Sequence, residues 1–346
     1  MGGGAFAGVE PGTRVVRLIR RRCLAALSGV LAAPWRAQAQ AGKVWHIGVL
    51  ESQPEAQNRD NFDALRAALG ELGYQEGRNL KLSYRSADGV GERFTKLAQE
   101  LVQLRVDLIV TRGTPSALAA KAATASSTDA ARIPVVMAAI GDPLVAVASL
   151  SRPGGNLTGL TSLSSDLEAK RVQLLHECVP QARRFAALYN MGNPVFARRW
   201  QETEAAARAL GVQVLQLDVR HSDGFEAAFS QAKRQQAQAL LVGQDGLMQS
   251  NRKLIARLAA QHRLPAVYGS VDFIEAGGLF AYGPHYPDMY RRAATYIEKI
   301  FKGAKPAELP IEQPTRFELI INLPAARALG LVIPSALRVR ADRIVE

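Results

Sequence analysis

From Val44 to Phe301 the chain alternates short apolar runs with helix-forming stretches, and this rhythm limits its possible folds more than any other feature. Strands are expected at 44–50, 80–84, 107–110 and 134–138, with helices at 62–69, 94–104 and 115–123 between them. After the Pro153-Gly154-Gly155 turn, 156–160 reads as an edge strand. The alternation then restarts, with helices at 166–178, 194–210, 224–235, 249–262 and 287–301 and strands at 185–189, 212–217, 239–242, 266–268 and 279–282. Strands that are apolar along their length, each followed by a helix, argue for parallel sheets covered on both faces. A chain of 346 residues that is 48% hydrophobic can bury two such cores. The expected class is therefore α/β, with two doubly wound parallel-sheet lobes joined by a hinge.

The formal charge of +12 suggests a nucleic-acid partner until its placement is read. Arg14, Arg17, Arg20, Arg21, Arg22 and Arg36 against Glu10 put much of it before residue 40. The rest is spread over pairs such as Arg198-Arg199, Lys233-Arg234 and Arg291-Arg292, which read as solvated helix faces rather than a phosphate-tracking stripe. No nucleic-acid partner is expected. Arg20-Arg21-Arg22 is followed by the apolar run 23–33, too short to span a bilayer, then Pro34 and the small-x-small Ala37-Gln38-Ala39. Residues 1–39 thus read as a signal peptide cleaved near Ala39, exported by the Sec or the twin-arginine route, and the protein as periplasmic. Cys23 follows arginines rather than a lipoprotein motif, and Cys178, on an apolar stretch, reads as a packed thiol.

Catalytic signatures are missing: no Gly-x-Ser-x-Gly elbow, phosphate loop, His-Glu-x-x-His or acid-rich calcium loop occurs. Gly89-Val90-Gly91 lacks the third glycine of a dinucleotide fingerprint. His46, His176, His221, His262 and His285 each stand alone, so no metal site is expected, nor a cofactor, nor catalytic residues. Small polar loops stand out instead at the carboxyl ends of strands, where open α/β sheets place ligands. Gly113, Thr114 and Pro115 turn into a helix whose free N–H groups suit an anion, although Thr114 as N-cap with Pro115 at N1 explains the same residues. Ala139, Gly141 and Asp142 follow another strand, and Asp142 can cap the next helix or pair with a ligand amine. In the second half Asn190, Asn193, Gln244 and Asp245 hold equivalent positions. Facing each other across two lobes, these loops would wall a cleft for a small polar molecule.

Several segments resemble the ABC transporter substrate-binding proteins of the tryptophan/tyrosine-binding kind, which have the type I periplasmic-binding-protein fold. They are Trp45-His46-Ile47-Gly48-Val49-Leu50, Thr111-Arg112-Gly113-Thr114-Pro115, Gly141-Asp142-Pro143, Leu264-Pro265-Ala266-Val267-Tyr268 and 313–326. The most specific is Ser151-Arg152-Pro153-Gly154-Gly155-Asn156 continuing through Leu157-Thr158-Gly159-Leu160-Thr161. The resemblance spans roughly the whole mature chain. It implies an extracytoplasmic binding component of an importer, not an enzyme, with a small-molecule solute and a membrane permease as partners; a monomer is expected, and the alternatives are a ligand-sensing receptor domain of the same fold or an exported enzyme. It also implies ligand contacts at Thr114, at Thr161 and Ser162, and at Asn190 and Asp245. With Glu51 and Ser52 after the first strand and Tyr268 at the end of a later one, these complete the candidate site. The loop 51–54 holds no aromatic ring to stack on an indole, so the expected ligand is a class, amino-acid-like and polar or aromatic. The lobes are expected at 44–161 with 284–313, and at 162–283 with 314–346, with crossovers near Thr161, Gly283 and Gln313.

Overall fold

In the computed structural model the described residues are 1–4, 43–125, 133–162 and 167–346. Apart from residues 1–4, the expected signal segment, with Cys23 and the cleavage point at Ala39, lies outside them. Residues 44–346 form one unit. Its first half builds β1 (Trp45–Glu51), α1 (Arg59–Glu71), β2 (Leu80–Ser86), α2 (Arg93–Gln103), β3 (Leu108–Arg112), α3 (Thr114–Ala125), β4 (Val135–Ile140) and β5 (Leu157–Thr161). The strands form a five-stranded parallel sheet in the order β2-β1-β3-β4-β5.

Strand parity explains why the inner runs are apolar on both faces, whereas the edge strand β2 carries Lys81 and Arg85. Ile47, Val49, Leu108 and Val110 face a core with Phe62 and Leu65 of α1, while Leu50, Ile109 and Met137 face Phe94 and Leu101 of α2. Gly48 lets α2 lie close, because a Cβ there would stand 2.9 Å from Leu101 Cδ2. Burying each of these large side chains contributes roughly 1.5–3 kcal/mol. Gly159 of β5 has φ +132°, and a Cβ there would meet the Met137 carbonyl at 2.2 Å, so only glycine can pair at this point of the edge strand.

The second half builds α4 (Glu168–Cys178), β6 (Arg184–Tyr189), α5 (Phe196–Ala209), β7 (Gln213–Asp218), α6 (Phe225–Arg234), β8 (Ala239–Val242), α7 (Gly246–Ser250), α8 (Arg252–Gln261), β9 (Ala266–Tyr268), α9 (Asp272–Glu275) and β10 (Phe280–Pro284). It ends with α10 (Tyr286–Phe301), β11 (Phe317–Asn322), α11 (Leu323–Ala328), α12 (Ser335–Arg340) and β12 (Arg343–Val345). Its sheet has seven strands in the order β12-β11-β10-β9-β8-β6-β7. Only the β10–β11 pair is antiparallel, a local departure from the parallel pattern. The strands β6 to β10 repeat the first sheet's order, and each sheet with its helices is one lobe of a type I periplasmic-binding-protein-like fold.

The chain passes between the sheets after Thr161, after Pro284 and between Glu312 and Phe317. Helix α10 starts at the end of second-sheet strand β10, yet its Tyr290, Ala293 and Ile297 pack into the first-sheet core against α1 and β4. Two local expectations change. The helix expected over 249–262 is two helices, because the Asn251 amide donates to the Leu247 carbonyl at 2.8 Å and ends α7 there. After Asp142 there is no α-helix, only a single 3-10 turn at Pro143–Val145.

Candidate functional site

In a sheet ordered 2-1-3-4-5 the connections leaving the first and third strands run toward opposite edges, which opens a crevice at the carboxyl ends of those two strands. Here those ends are β1 and β3 in the first lobe and β6 and β8 in the second. Their loops face each other around one cavity lined by Ser52, Gln53, Arg112, Gly113, Thr114, Pro115, Ala139, Gly141 and Ser162 on the first side. On the second side stand Asn190, Asn193, Arg199, Gln244, Asp245 and Gly246, and Tyr286 at the start of α10 belongs to the first side, where its ring lies under Arg112. Its free volume is about 80 Å³, against the 10–15 Å³ that one water needs. The rims touch: Ser250 Oγ donates to the Ser52 carbonyl at 3.3 Å and Arg252 Nη1 to Gln57 Oε1 at 3.0 Å. A Cβ on Gly246 would come within 2.4 Å of the Ser52 side chain. The cleft is closed.

On the first wall, Gly113 at φ +88° turns the chain from β3 into α3, a left-handed conformation that favours glycine. The Thr114 hydroxyl is not a cap: it has no hydrogen-bond partner, although the residue is buried. Ser116 Oγ instead returns to the Arg112 carbonyl at 2.6 Å. The Arg112 guanidinium lies 4.3 Å over the Tyr286 ring, and its Nη1 donates to Gln53 Oε1 at 3.0 Å and Asn58 Oδ1 at 3.2 Å. Burial opposes that charge, and Tyr290, Tyr286 and Glu51 more than offset it, holding the pKa above its ordinary value.

On the second wall, Asp245 caps α7 by accepting from the Met248 N–H at 3.0 Å and also accepts from the Asn190 amide at 2.7 Å. Burial raises its pKa, with those two hydrogen bonds opposing. Gln244 reaches across the cleft to the Tyr286 hydroxyl, and its Oε1 is left without a partner. Arg199, from α5, donates through Nη1 to the Gln244 carbonyl at 2.8 Å, while its Nε has no partner. Neighbouring Arg171 pairs with Glu168 at 2.7 Å, both buried.

Eleven candidates named from the sequence thus line the cavity: Ser52, Gly113, Thr114, Pro115, Ala139, Gly141, Ser162, Asn190, Asn193, Gln244 and Asp245. Glu51, Asp142, Thr161 and Tyr268 lie outside its wall. Glu51 turns beneath the floor to Tyr290, and burial raises its pKa with Arg112 opposing. Asp142 accepts from the Leu144 N–H at 3.0 Å at the start of its 3-10 turn. The Thr161 hydroxyl donates to the Ile140 carbonyl at 2.9 Å. Tyr268 is 1% exposed and stacks on Phe273 with centroids 4.3 Å apart, because strand parity turns it into the core beneath α6 and α8.

Sequence reasoning missed Gln53, Arg112, Arg199, Gly246 and Tyr286. Arg199 was expected on a solvated face beside Arg198, and it is 1% exposed. Its signal is the pattern Phe196, Arg199, Thr203, Ala207, the buried stripe of α5. Gly89 and Gly91, unusable as a dinucleotide loop, line the cleft, and Ser250 approaches at Gly89. Among the described residues no three His, Cys, Asp or Glu side chains gather as metal ligands, and no helix is long and apolar enough to cross a membrane.

Residues 54–345 match the family of ABC transporter substrate binding proteins. The chain belongs to this family. Among relatives, it is 26% identical over 267 residues to the tyrosine-binding protein of Clostridioides difficile strain R20291, covering 76% of this chain and 74% of that one. A conserved domain protein from Vibrio cholerae O1 biovar El Tor superposes with a TM-score of 0.80 at 26% identity, over 87% of this chain and 100% of the other. An ABC domain from Streptococcus pneumoniae in complex with L-Trp has the same fold, with a TM-score of 0.78 at 24% identity over 87% of this chain and 99% of that one. As an ABC transporter substrate-binding protein the chain is a solute-binding protein and not an enzyme. Membership implies a small-molecule solute, a membrane permease as partner and an extracytoplasmic place of work.

Proposed function

We propose that this protein is the solute-binding component of an importer, exported to the periplasm, and that it grips an amino-acid-like polar or aromatic solute between its lobes before delivering it to the permease. One observation carries the reading: buried polar atoms without partners, Gln53 Nε2 and Thr114 Oγ1 from one lobe and Gln244 Oε1 from the other, belong to side chains around a single cavity. Each unsatisfied buried polar atom costs about 1–3 kcal/mol, a cost that a polar ligand removes. The tyrosine-binding relative and the L-Trp-bound neighbour favour an amino acid.

The working site in this reading comprises the eleven lining residues above together with Gln53, Arg112 and Tyr286. The lobes are 44–161 with 284–313 and 162–283 with 314–346, and they open about the crossovers as a monomer. The Thr161 N–H donates to the Glu312 carbonyl at 2.9 Å and the His285 N–H to the Arg316 carbonyl at 3.1 Å, and such short backbone links can persist while the cleft opens. Residues 1–39 form the cleaved signal, so the exported chain begins at Gln40.

A thermal-shift screen of the 40–346 protein against amino acids, aromatic acids, dipeptides and sugars tests the reading. A solute at 100 times its dissociation constant adds about 2.7 kcal/mol, a shift of several degrees. If no compound in a broad library raises the melting temperature, the proposal is lost.

A further inference from the structure

The second wall brings to the cavity a buried guanidinium that no carboxylate of the described residues contacts directly. Arg171 and Arg199 are both buried in the second lobe, and Glu168, the carboxylate beside them, is committed to Arg171 at 2.7 Å. Asp245 acts on Arg199 through space, but its hydrogen bonds come from Asn190 and the Met248 N–H and it makes no ion pair with Arg199. Among the described residues Arg199 has no ion pair, and its Nε has no hydrogen-bond partner.

Arg199 also reaches the other wall. A Cβ built on Gly141 would stand 2.8 Å from Arg199 Nη2 and 3.5 Å from Thr114 Oγ1, so the two groups approach one another from opposite lobes beside a residue with no side chain. Thr114 opens a helix of 12 residues whose first N–H groups and dipole favour negative charge. A guanidinium, an unused hydroxyl and a helix N-terminus are the partners a carboxylate takes in a dry site.

We propose that Arg199 anchors an acidic group of the solute against Thr114 and the start of α3, so that the cleft selects a carboxylate over its neutral isostere. The inference rests on the cleft being the solute site and deepens it: the anion bridges the lobes and favours the closed form. Burial lowers the Arg199 pKa and the neighbouring Arg171 cation adds to this, with Glu168 opposing. The competing reading is a structural arginine that merely holds the Gln244 carbonyl.

The test uses matched pairs at equal ionic strength: L-alanine, L-leucine and L-tyrosine against their carboxamides, and acetate against acetamide. Affinities are taken from thermal shift and calorimetry. The wild type is expected to bind an acid at least about tenfold tighter than its amide. Arg199→Met should erase the preference, and Thr114→Val should reduce it while keeping the fold. Equal affinity for acids and amides, or no acid effect at all, overturns the inference, as does a preference that survives in Arg199→Met. The wild-type pairs decide the matter even if that variant fails to fold. Binding of neutral sugars alone would remove this inference and leave the solute-binding reading standing, whereas silence across every class removes both.

Discussion

Arg112 on the first wall and Arg199 on the second are both almost wholly buried, yet their surroundings differ in kind. Arg112 is held on every side, by Gln53, Asn58 and the Tyr286 ring, with Glu51 beneath it, and its pKa is raised. Arg199 lies over the Phe196 ring and donates to the Gln244 carbonyl, but it has no ion pair among the described residues, keeps an idle Nε and has its pKa lowered, burial being the leading cause. A buried charge needs partners, and on the first wall the fold supplies them while on the second it supplies fewer. The first wall therefore presents a preset surface and the second a guanidinium with a donor still free.

The contrast is easiest to break at Glu168. Glu168→Gln leaves two buried guanidinium groups without a carboxylate at hydrogen-bond distance, and should cost about 3–5 kcal/mol in urea unfolding. A loss below about 1 kcal/mol would mean that Glu168 is not what neutralises this buried pair.

Gly246→Ala comes next. The added methyl would collide with Ser52 only when the walls meet, so overpacking of about 1–3 kcal/mol should fall on the closed form. Solute affinity should drop about tenfold or more while the melting temperature of the ligand-free protein changes little. Unchanged affinity would show that the walls do not close this far on a ligand.

A smaller effect concerns acid. Burial raises the pKa of Glu51 under the first wall and of Asp245 on the second. For a carboxyl raised on folding, stability is lost as pH rises through the folded value, and is regained on acidification toward the ordinary range of about 4 to 4.5. Glu51→Gln and Asp245→Asn should each flatten the wild-type gain in melting temperature as pH falls from neutrality. A slope identical to the wild type in both would contradict the shifts. The smallest effect is expected at Tyr268→Phe, which lies behind the second wall: solute affinity should stay within about twofold, and stability within about 1 kcal/mol.

Much of the fold was legible because strand parity and helix period are local. The inner strands between Val44 and Tyr268 are largely apolar because parallel strands are covered on both faces, while the edge strands β2 and β7 alternate with polar residues, and the glycines at 113, 211 and 303 mark turns with positive φ. The split at Asn251 was not legible, since one side-chain bond to the Leu247 carbonyl decides it. At the site, Thr114, Gly141, Asn190 and Asp245 could be named because ligands gather at strand ends. Tyr268 occupies a strand end too, but parity turns it inward.

The sequence by itself determined two α/β halves, the loops that can face a cleft and the family to which the chain belongs, because periodicity, turn chemistry and motif order are written in neighbouring residues. Only the tertiary structure decided which polar groups are left without partners there. Arg199 is a helix residue that the chain alone shows as one of two adjacent arginines. Its meeting with Thr114 beside Gly141 depends on how α5 packs on its sheet and how the lobes close, and burial and pairing are properties of that packing.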